Sequence, residues 1–167
     1  ARYHAAFSLG ADAENALREP LARLRRLVDV PATLVMRLFD CHDQGALGSD
    51  EFIEGLRLVE SYVFRRAICG EQTRNYWQVF ANLAYSIDPT KPFESLLVGL
   101  ARQRDSSRFP GDDDFRRALE NGDIYAKRVC FYLLERLENH ESREPSDTSR
   151  YSIEHIMPQN ENLAPEW

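Results

Sequence analysis

Long apolar runs, basic charge and regularly spaced cysteines are all missing from this sequence. No stretch approaches the roughly 20 apolar residues of a membrane-spanning helix, and no basic-then-apolar leader begins the chain. The formal net charge is −6, whereas phosphate binding depends mainly on Lys and Arg. We therefore expect a cytoplasmic protein without membrane contacts, in which any contact with nucleic acid is local.

The spacing of the cysteines and glycines argues against a disulfide framework, a structural zinc site and a phosphate-binding loop. Cys41, Cys69 and Cys130 are odd in number and far apart, which argues against a disulfide framework and a structural zinc site. Gly45 and Gly48 lack the Gly-Lys-Ser/Thr ending of a phosphate-binding loop. We expect buried free thiols and no phosphate-binding loop in this chain.

The rest of the composition is that of a soluble globular domain. Hydrophobic residues make up 43% and charged residues 29% of the sequence. A length of 167 residues suffices for one or two small domains with a core. The chain begins at Ala1 and stops at Trp167, and we expect it to be a piece of a longer protein.

Apolar residues recur at helical spacing along most of the chain. Between Asp12 and Asp40 we expect two or three helical pieces, because Pro20 and Pro31 interrupt the pattern. Trp77 and its aromatic neighbours recur at helical spacing, and we expect them to lie in the core rather than to form a base-stacking platform. Further helices are predicted over residues 49–69, with Gly70 ending the helix, over 75–87, from Pro92, from Asp112 and over 124–139.

The segment Asp40–Glu51 imitates a calcium-binding EF-hand loop in outline. However, His42 and Gln44 occupy two positions where carboxylates or Asn are expected. We favour a helix-loop-helix in which Gly45 supplies the turn and Ser49 caps the next helix. Calcium sensing remains a weaker possibility.

Three further clusters of charge invite a functional interpretation. Asp112–Asp114 suggest a metal site, but acidic residues at a helix N-terminus also compensate the helix dipole, which we favour. Arg65 and Arg66 near a helix C-terminus either complement the dipole or contact phosphate or a neighbouring domain. A basic face on the first helix is expected to be solvated, and it comprises Arg23, Arg25 and Arg26.

The candidate catalytic and metal-binding residues lie near the end of the chain. Residues 141–150 are polar, contain Pro145 and have no periodicity, so we interpret them as a linker. Residues 151–157 are strand-like, and the alternation of side chains along a strand puts the adjacent Glu154 and His155 on opposite sides of the backbone. A neutral imidazole accepts a proton from water near pH 7, and a carboxylate holds a hard divalent cation. Together they are half of a metal-assisted hydrolase.

Three segments resemble one known family. Residues 153–159 resemble the opening motif of HNH, or His-Me finger, nucleases, in the version found in GmrSD-type modification-dependent restriction endonucleases. Residues 60–70 and 131–140 resemble the helical region that precedes that motif. The resemblance spans roughly Leu21 to Trp167.

This resemblance implies a mainly α fold with a multi-helix, bundle-like body, followed by a truncated, strand-containing HNH (ββα-metal) start. The implied division is a helical domain over residues 1–140, the linker over 141–150 and the truncated nuclease start over 151–167. In the intact protein, it implies a cytoplasmic restriction enzyme whose helical body couples the nuclease to an N-terminal nucleotide-dependent domain.

The resemblance also implies roles for the two motif residues. His155 would be the general base, and Glu154 would help to hold a divalent metal, Mg²⁺ or Mn²⁺, while DNA is hydrolysed. The family's remaining strand, helix and ligands fall after Trp167. We therefore expect this fragment to hold no cofactor tightly and to cut DNA poorly or not at all.

A second interpretation is a helical interaction or scaffold module without chemistry, in which Glu154 and His155 merely occupy a terminal strand. Sequence downstream of Trp167 that encodes a further strand and helix with Asn or His would favour the nuclease. The oligomeric state, the nucleotide and the DNA modification that is recognised stay open.

Overall fold

The computed structural model of the chain describes residues 15–29, 31–142, 144 and 146–154. The chain divides into two compact units, Ala1–Val129 and Cys130–Trp167. We call the first the helical body and the second the C-terminal unit. The predicted linker over residues 141–150 stays a prediction.

In its described part, the helical body contains the helices α1 (Asn15–Leu27), α2 (Ala32–Asp43), α3 (Ser49–Ile68), α4 (Tyr76–Ser86), α5 (Pro92–Ala101) and α6 (Asp112–Asn121). The C-terminal unit adds α7 (Cys130–Glu138), and 3₁₀ turns lie at Asp105–Ser107 and Thr148–Arg150. The prediction of a mainly α fold is confirmed. None of these described helices is long and apolar enough to cross a bilayer.

The predicted strand of the HNH start is not seen in the described residues. Tyr151–Glu154 form no strand, and the rest of that segment lies outside the described residues. The strand-containing end of the fold therefore stays a prediction.

The long helix α3 is the centre of the helical body. The four helices α2, α3, α5 and α4 close a ring in which each packs against the next, and α1 and α6 also pack against α3. An apolar stripe along α3 faces the inside of the body, as a helical spacing of apolar residues requires. Its fully buried members are Phe52, Leu56, Val59, Tyr62 and Val63.

Both ends of α3 are fixed by local hydrogen bonds. At the start, Gly48 is the capping residue, and its N–H donates to Glu51 Oε2 at 3.2 Å. Ser49 is the first helical residue, so the prediction that Ser49 caps the helix is wrong. At the other end, Gly70 has φ +72° and Glu71 N donates to Arg66 O at 2.9 Å. This left-handed glycine ends the helix as predicted.

Pro20 and Pro31 behave differently. Pro20 lies inside α1, so the predicted break at this residue is wrong. The missing N–H removes one intrahelical bond, but Leu17 and Leu24 on the same helix are only 2% and 1% exposed, and their burial outweighs that loss. Pro31 precedes α2, where proline suits the helix start, and the expected break occurs there.

Trp77 is 66% exposed, so the prediction that it lies in the core is wrong. The inward face of α4 is filled by Tyr76 and Phe80, which are 4% and 0% exposed. One residue along a helix corresponds to a rotation of about 100°. Trp77 is therefore turned away from the side that its neighbour Tyr76 buries.

The side chain of Arg66 joins α3 to the loop after α5. It is 1% exposed, and its guanidinium nitrogens donate to the carbonyls of Gln72 at 2.6 Å, Ser106 at 2.8 Å and Arg108 at 2.9 Å. Its Cζ lies 5.4 Å from the ring centre of Tyr62 and of Tyr76. Arg66 is neither solvated nor open to phosphate, so it organises the backbone around it.

The last helix begins later than predicted. Residues 124–129 are turns and irregular backbone instead of the first part of a helix over 124–139. Lys127 N donates to Ile124 O at 3.0 Å, and the Lys127 ammonium donates to Ile68 O at the end of α3. The Lys127 ammonium thus lies at the C-terminal end of α3, where a positive charge is favourable, and α7 starts only at Cys130.

Candidate functional site

The helix α7 forms one wall of the candidate site. Cys130 and Tyr132 are buried, at 8% and 5% exposure. By contrast, Leu134 and Leu137 are 42% and 62% exposed. The helix therefore buries its first turn and presents apolar side chains along its second half.

Asn139 folds the following loop back along α7. Its side-chain Nδ2 donates to Glu135 O at 3.2 Å, and its Oδ1 accepts from Ser146 N at 2.7 Å. Thr148 is 5% exposed, and Tyr151 N donates to Thr148 O at 3.0 Å. Asn139 was not singled out from the sequence, although a polar amide directly after an apolar helical stretch is typical of a helix end.

An open cleft of about 530 Å³ lies between α7 and the segment that follows the loop. Glu154 lines this cleft, and its Oε1 accepts a hydrogen bond from Ser152 Oγ at 3.0 Å. The Glu154 side chain is exposed. The other lining residues are Phe131, Leu134, Glu135, Leu137, Glu138, Thr148, Tyr151, Ser152 and Ile153.

The charge of the cleft is negative, because Glu135, Glu138 and Glu154 all line it. In the described ranges, however, no three His, Cys, Asp or Glu side chains converge closely enough to hold a metal ion. The Glu154 carboxylate is thus accessible in an acidic cleft, and its role as a metal ligand stays a prediction. His155, predicted as the general base, lies outside the described residues.

The EF-hand-like loop contains the turn at Gly45 that the helix-loop-helix interpretation predicts, and calcium binding stays untested. Gly45 has φ +72° and supplies the turn between α2 and α3. His42 Nε2 lies 3.2 Å from Ser49 Oγ, and the His42 ring packs against Phe52 with 5.6 Å between ring centres. These contacts keep His42 against the start of α3.

The three aspartates at the start of α6 are bound by arginines. Asp112 pairs with Arg65 at 2.6 Å, and Asp113 lies 3.7 Å from an Arg116 nitrogen. Asp114 pairs with Arg108 and, at 2.6 Å, with Arg117. These hydrogen bonds, that of Arg108 first, lower the pKa of Asp114. The three aspartates lie in the first turn of α6, where they compensate the helix dipole, and they also form ion pairs with arginines.

The three cysteines are free thiols, as expected. Cys41 and Cys130 are buried as predicted, whereas Cys69 is half-buried, so the prediction of burial is wrong for Cys69. Burial raises the pKa of the Cys41 and Cys69 thiols. Both groups are therefore protonated thiols near neutral pH.

Comparison with known families matches the C-terminal part of the chain. Residues 109–167 match the family model of GmrSD restriction endonucleases, C-terminal domain. The match includes α6, α7, the cleft and the Glu154–His155 motif, whereas residues 60–70 fall outside it. Curated proteins and solved structures give no match. The C-terminal third of the chain therefore resembles the C-terminal domain of GmrSD-type restriction endonucleases.

Proposed function

We propose that the intact protein is a metal-dependent DNA endonuclease of a restriction system, with HNH-type chemistry at Glu154 and His155. The observation that carries the proposal is the family match over residues 109–167, which includes both residues. The helical body would couple this nuclease to an N-terminal nucleotide-dependent domain, and the enzyme would act in the cytoplasm.

The described residues fit a divalent metal to a limited extent. Mg²⁺ prefers oxygen ligands and is commonly held by one or two carboxylates together with water and substrate phosphate. Glu154 offers such an oxygen at the edge of an acidic cleft, where Ser152 Oγ orients one of its two carboxylate oxygens at 3.0 Å. When bound, the metal would neutralise charge on the phosphodiester.

His155 would act on the attacking water. A neutral imidazole takes the proton from water and leaves a hydroxide to attack phosphorus. Glu154 cannot replace it in this role if its oxygens hold the metal, because a ligating carboxylate is a poor base. In this proposal, His155 is therefore the general base and Glu154 is the metal ligand.

Plasmid cleavage by the full-length protein tests the proposal. We expect Mg²⁺- or Mn²⁺-dependent nicking that falls at least a hundredfold in His155→Ala, in line with the loss of a general base. Glu154→Gln should raise the metal concentration needed for half-maximal activity. His140→Ala and Glu120→Gln are matched controls on exposed side chains, and both should leave cleavage unchanged.

Equal cleavage by wild type and His155→Ala would contradict the assignment of the base. Absence of any cleavage by the full-length protein on both modified and unmodified DNA would favour the scaffold interpretation instead. The isolated chain of 167 residues is expected to cut poorly or not at all, and plasmid nicking by it, abolished in His155→Ala, would overturn that expectation.

A further inference from the structure

The helix α6 is attached to the body in a different way from α5. Both helices have ten residues, and both pack against α3. Every residue of α6 is at least partly exposed, whereas α5 buries Leu96 and Leu100 at 0% and 1% exposure. Because burial of apolar side chains is the main force that holds a helix in place, α6 is the more weakly attached of the two.

Contacts of Arg65 join α6 to α3. The Arg65 guanidinium lies 2.6 Å from Asp112 Oδ1, donates to Pro110 O at 3.4 Å and lies 5.1 Å from the ring centre of Phe115. The Phe115 ring also packs edge-on against Phe64, with 5.7 Å between the ring centres. Arg65 is thus at the centre of the contact between the two helices.

Arg108 supplies a second attachment. Its backbone is fixed, because the Arg66 guanidinium donates to Arg108 O at 2.9 Å. Its own guanidinium bridges two carboxylates, that of Glu71 just after α3, at 2.9 Å, and that of Asp114 in α6. Asp112 and Asp114 both lie in the first turn of α6. The two arginines therefore hold the same turn of the helix.

These attachments are exposed to solvent. The Asp112 side chain is 79% exposed and the Arg108 side chain is 43% exposed. Ion pairs of this exposure stabilise little, and salt screens them. A ten-residue helix does not persist alone, because isolated helices shorter than about 12–15 residues are marginal in water. Loss of the contact with α3 would therefore also unfold α6.

We propose that α6 is a strap that detaches from α3 and unfolds locally while the ring of α2, α3, α5 and α4 stays folded, with Arg65 and Arg108 as its attachment points. The family match begins at residue 109, so the strap holds the first helix of the matched segment on the body. The proposal goes beyond the nuclease assignment, and it holds whatever reaction occurs at Glu154 and His155.

Hydrogen–deuterium exchange of the full-length protein, read by mass spectrometry of its peptides, measures this opening. Relative to intrinsic rates, peptides from α6 should exchange at least about a hundredfold faster than peptides from α5. Raising NaCl from about 0.05 M to about 1 M should accelerate exchange in α6 by a further factor of about three to ten. Exchange in α5 should change less than about twofold over the same range.

A matched pair of aspartates separates attachment from compensation of the helix dipole. Asp112 and Asp113 both lie in the first turn of α6. Asp112 pairs with Arg65 on α3, whereas Asp113 lies near Arg116 on its own helix. Asp112→Asn should accelerate exchange in α6 about three- to fivefold. Asp113→Asn should do so no more than about twofold.

Arg65→Gln removes all the contacts of the guanidinium and should accelerate exchange in α6 about five- to thirtyfold, with α5 unchanged. Arg57→Gln is its control, since it alters an exposed side chain that pairs with Glu54 on the same helix. Equal protection of α6 and α5 in wild type would overturn the proposal, because α6 would then open only with the whole body. No acceleration in Arg65→Gln, equal acceleration of both helices, or equal effects of Asp112→Asn and Asp113→Asn would also overturn it.

Discussion

The helical body and the C-terminal unit differ in how they use apolar residues. In the body, α3 carries a stripe of fully buried side chains, and the core cluster extends from Leu17 to Leu100. In the described part of the C-terminal unit, the buried side chains are Cys130, Tyr132 and Thr148. Leu134 and Leu137 are exposed instead.

The residues that stabilise the fold and the residues of the proposed active site therefore lie in different units. Burial of apolar area contributes roughly 25 cal/mol per Å², so most of the folding free energy of the described residues resides in the body. In the C-terminal unit, apolar side chains such as Leu134 and Leu137 line an open cleft instead of a buried core. The motif residue Glu154 lines the same cleft. Variants that reduce stability and variants that reduce activity should therefore fall in different units.

Arg66→Ala gives the largest expected loss of stability and tests whether the body depends on a polar side chain as well as on its core. The variant leaves the carbonyls of Gln72, Ser106 and Arg108 without their donor. We expect a decrease of about 3–5 kcal/mol in the free energy of unfolding, measured by urea denaturation and far-UV circular dichroism.

The control for this variant is Arg57→Ala on the same helix, whose exposed side chain pairs only with Glu54 in the described structure. It should change stability by no more than about 0.5 kcal/mol. A similar small effect of Arg66→Ala would show that the loop after α5 is held by other contacts.

A pair of leucines compares the two units directly. Leu96 is 0% exposed in the body, whereas Leu137 is 62% exposed in the C-terminal unit. Leu96→Ala should cost about 2–5 kcal/mol, because it removes buried methyl groups and leaves a cavity. Leu137→Ala should cost less than about 0.5 kcal/mol. Equal losses in urea denaturation would mean that Leu137 is covered in solution.

Helical positions were largely predictable from the sequence, because they depend on local spacing. The apolar stripe of α3, the turn at Gly70 and the proline at the start of α5 are all signals within one segment. Trp77 was misplaced because aromatic residues lie on both faces of α4. The angle of about 100° between Tyr76 and Trp77 on the helix shows that only one of them can face the core, whereas the number of aromatic residues alone does not.

The Arg66 contacts were not predictable, because they join carbonyls about 40 residues away from Arg66 in sequence. No spacing rule relates such distant positions. The candidate motif was recognised for the opposite reason, since Glu154 and His155 are adjacent. The role of His155 stays a prediction, because the residue lies outside the described part of the chain.

Asp114→Asn gives the smallest expected effect and sharpens the comparison at α6, where the family-matched segment begins within the body. Hydrogen bonds from Arg108 and then Arg117 lower the pKa of Asp114 in the folded state. A carboxylate with a lowered pKa stabilises the fold above its unfolded pKa of about 3.9, and that contribution is lost as pH falls through the folded pKa.

At pH 7 we expect Asp114→Asn to lower the melting temperature by no more than about 3 °C, since the ion pairs are partly solvated. The difference from wild type should shrink below about pH 4 and vanish once Asp114 is protonated in both states. Asp113→Asn is the matched control, because the Asp113 side chain is 90% exposed and 3.7 Å from Arg116. A difference for Asp114→Asn that persisted at pH 2.5 would mean that the substitution acts through packing rather than charge.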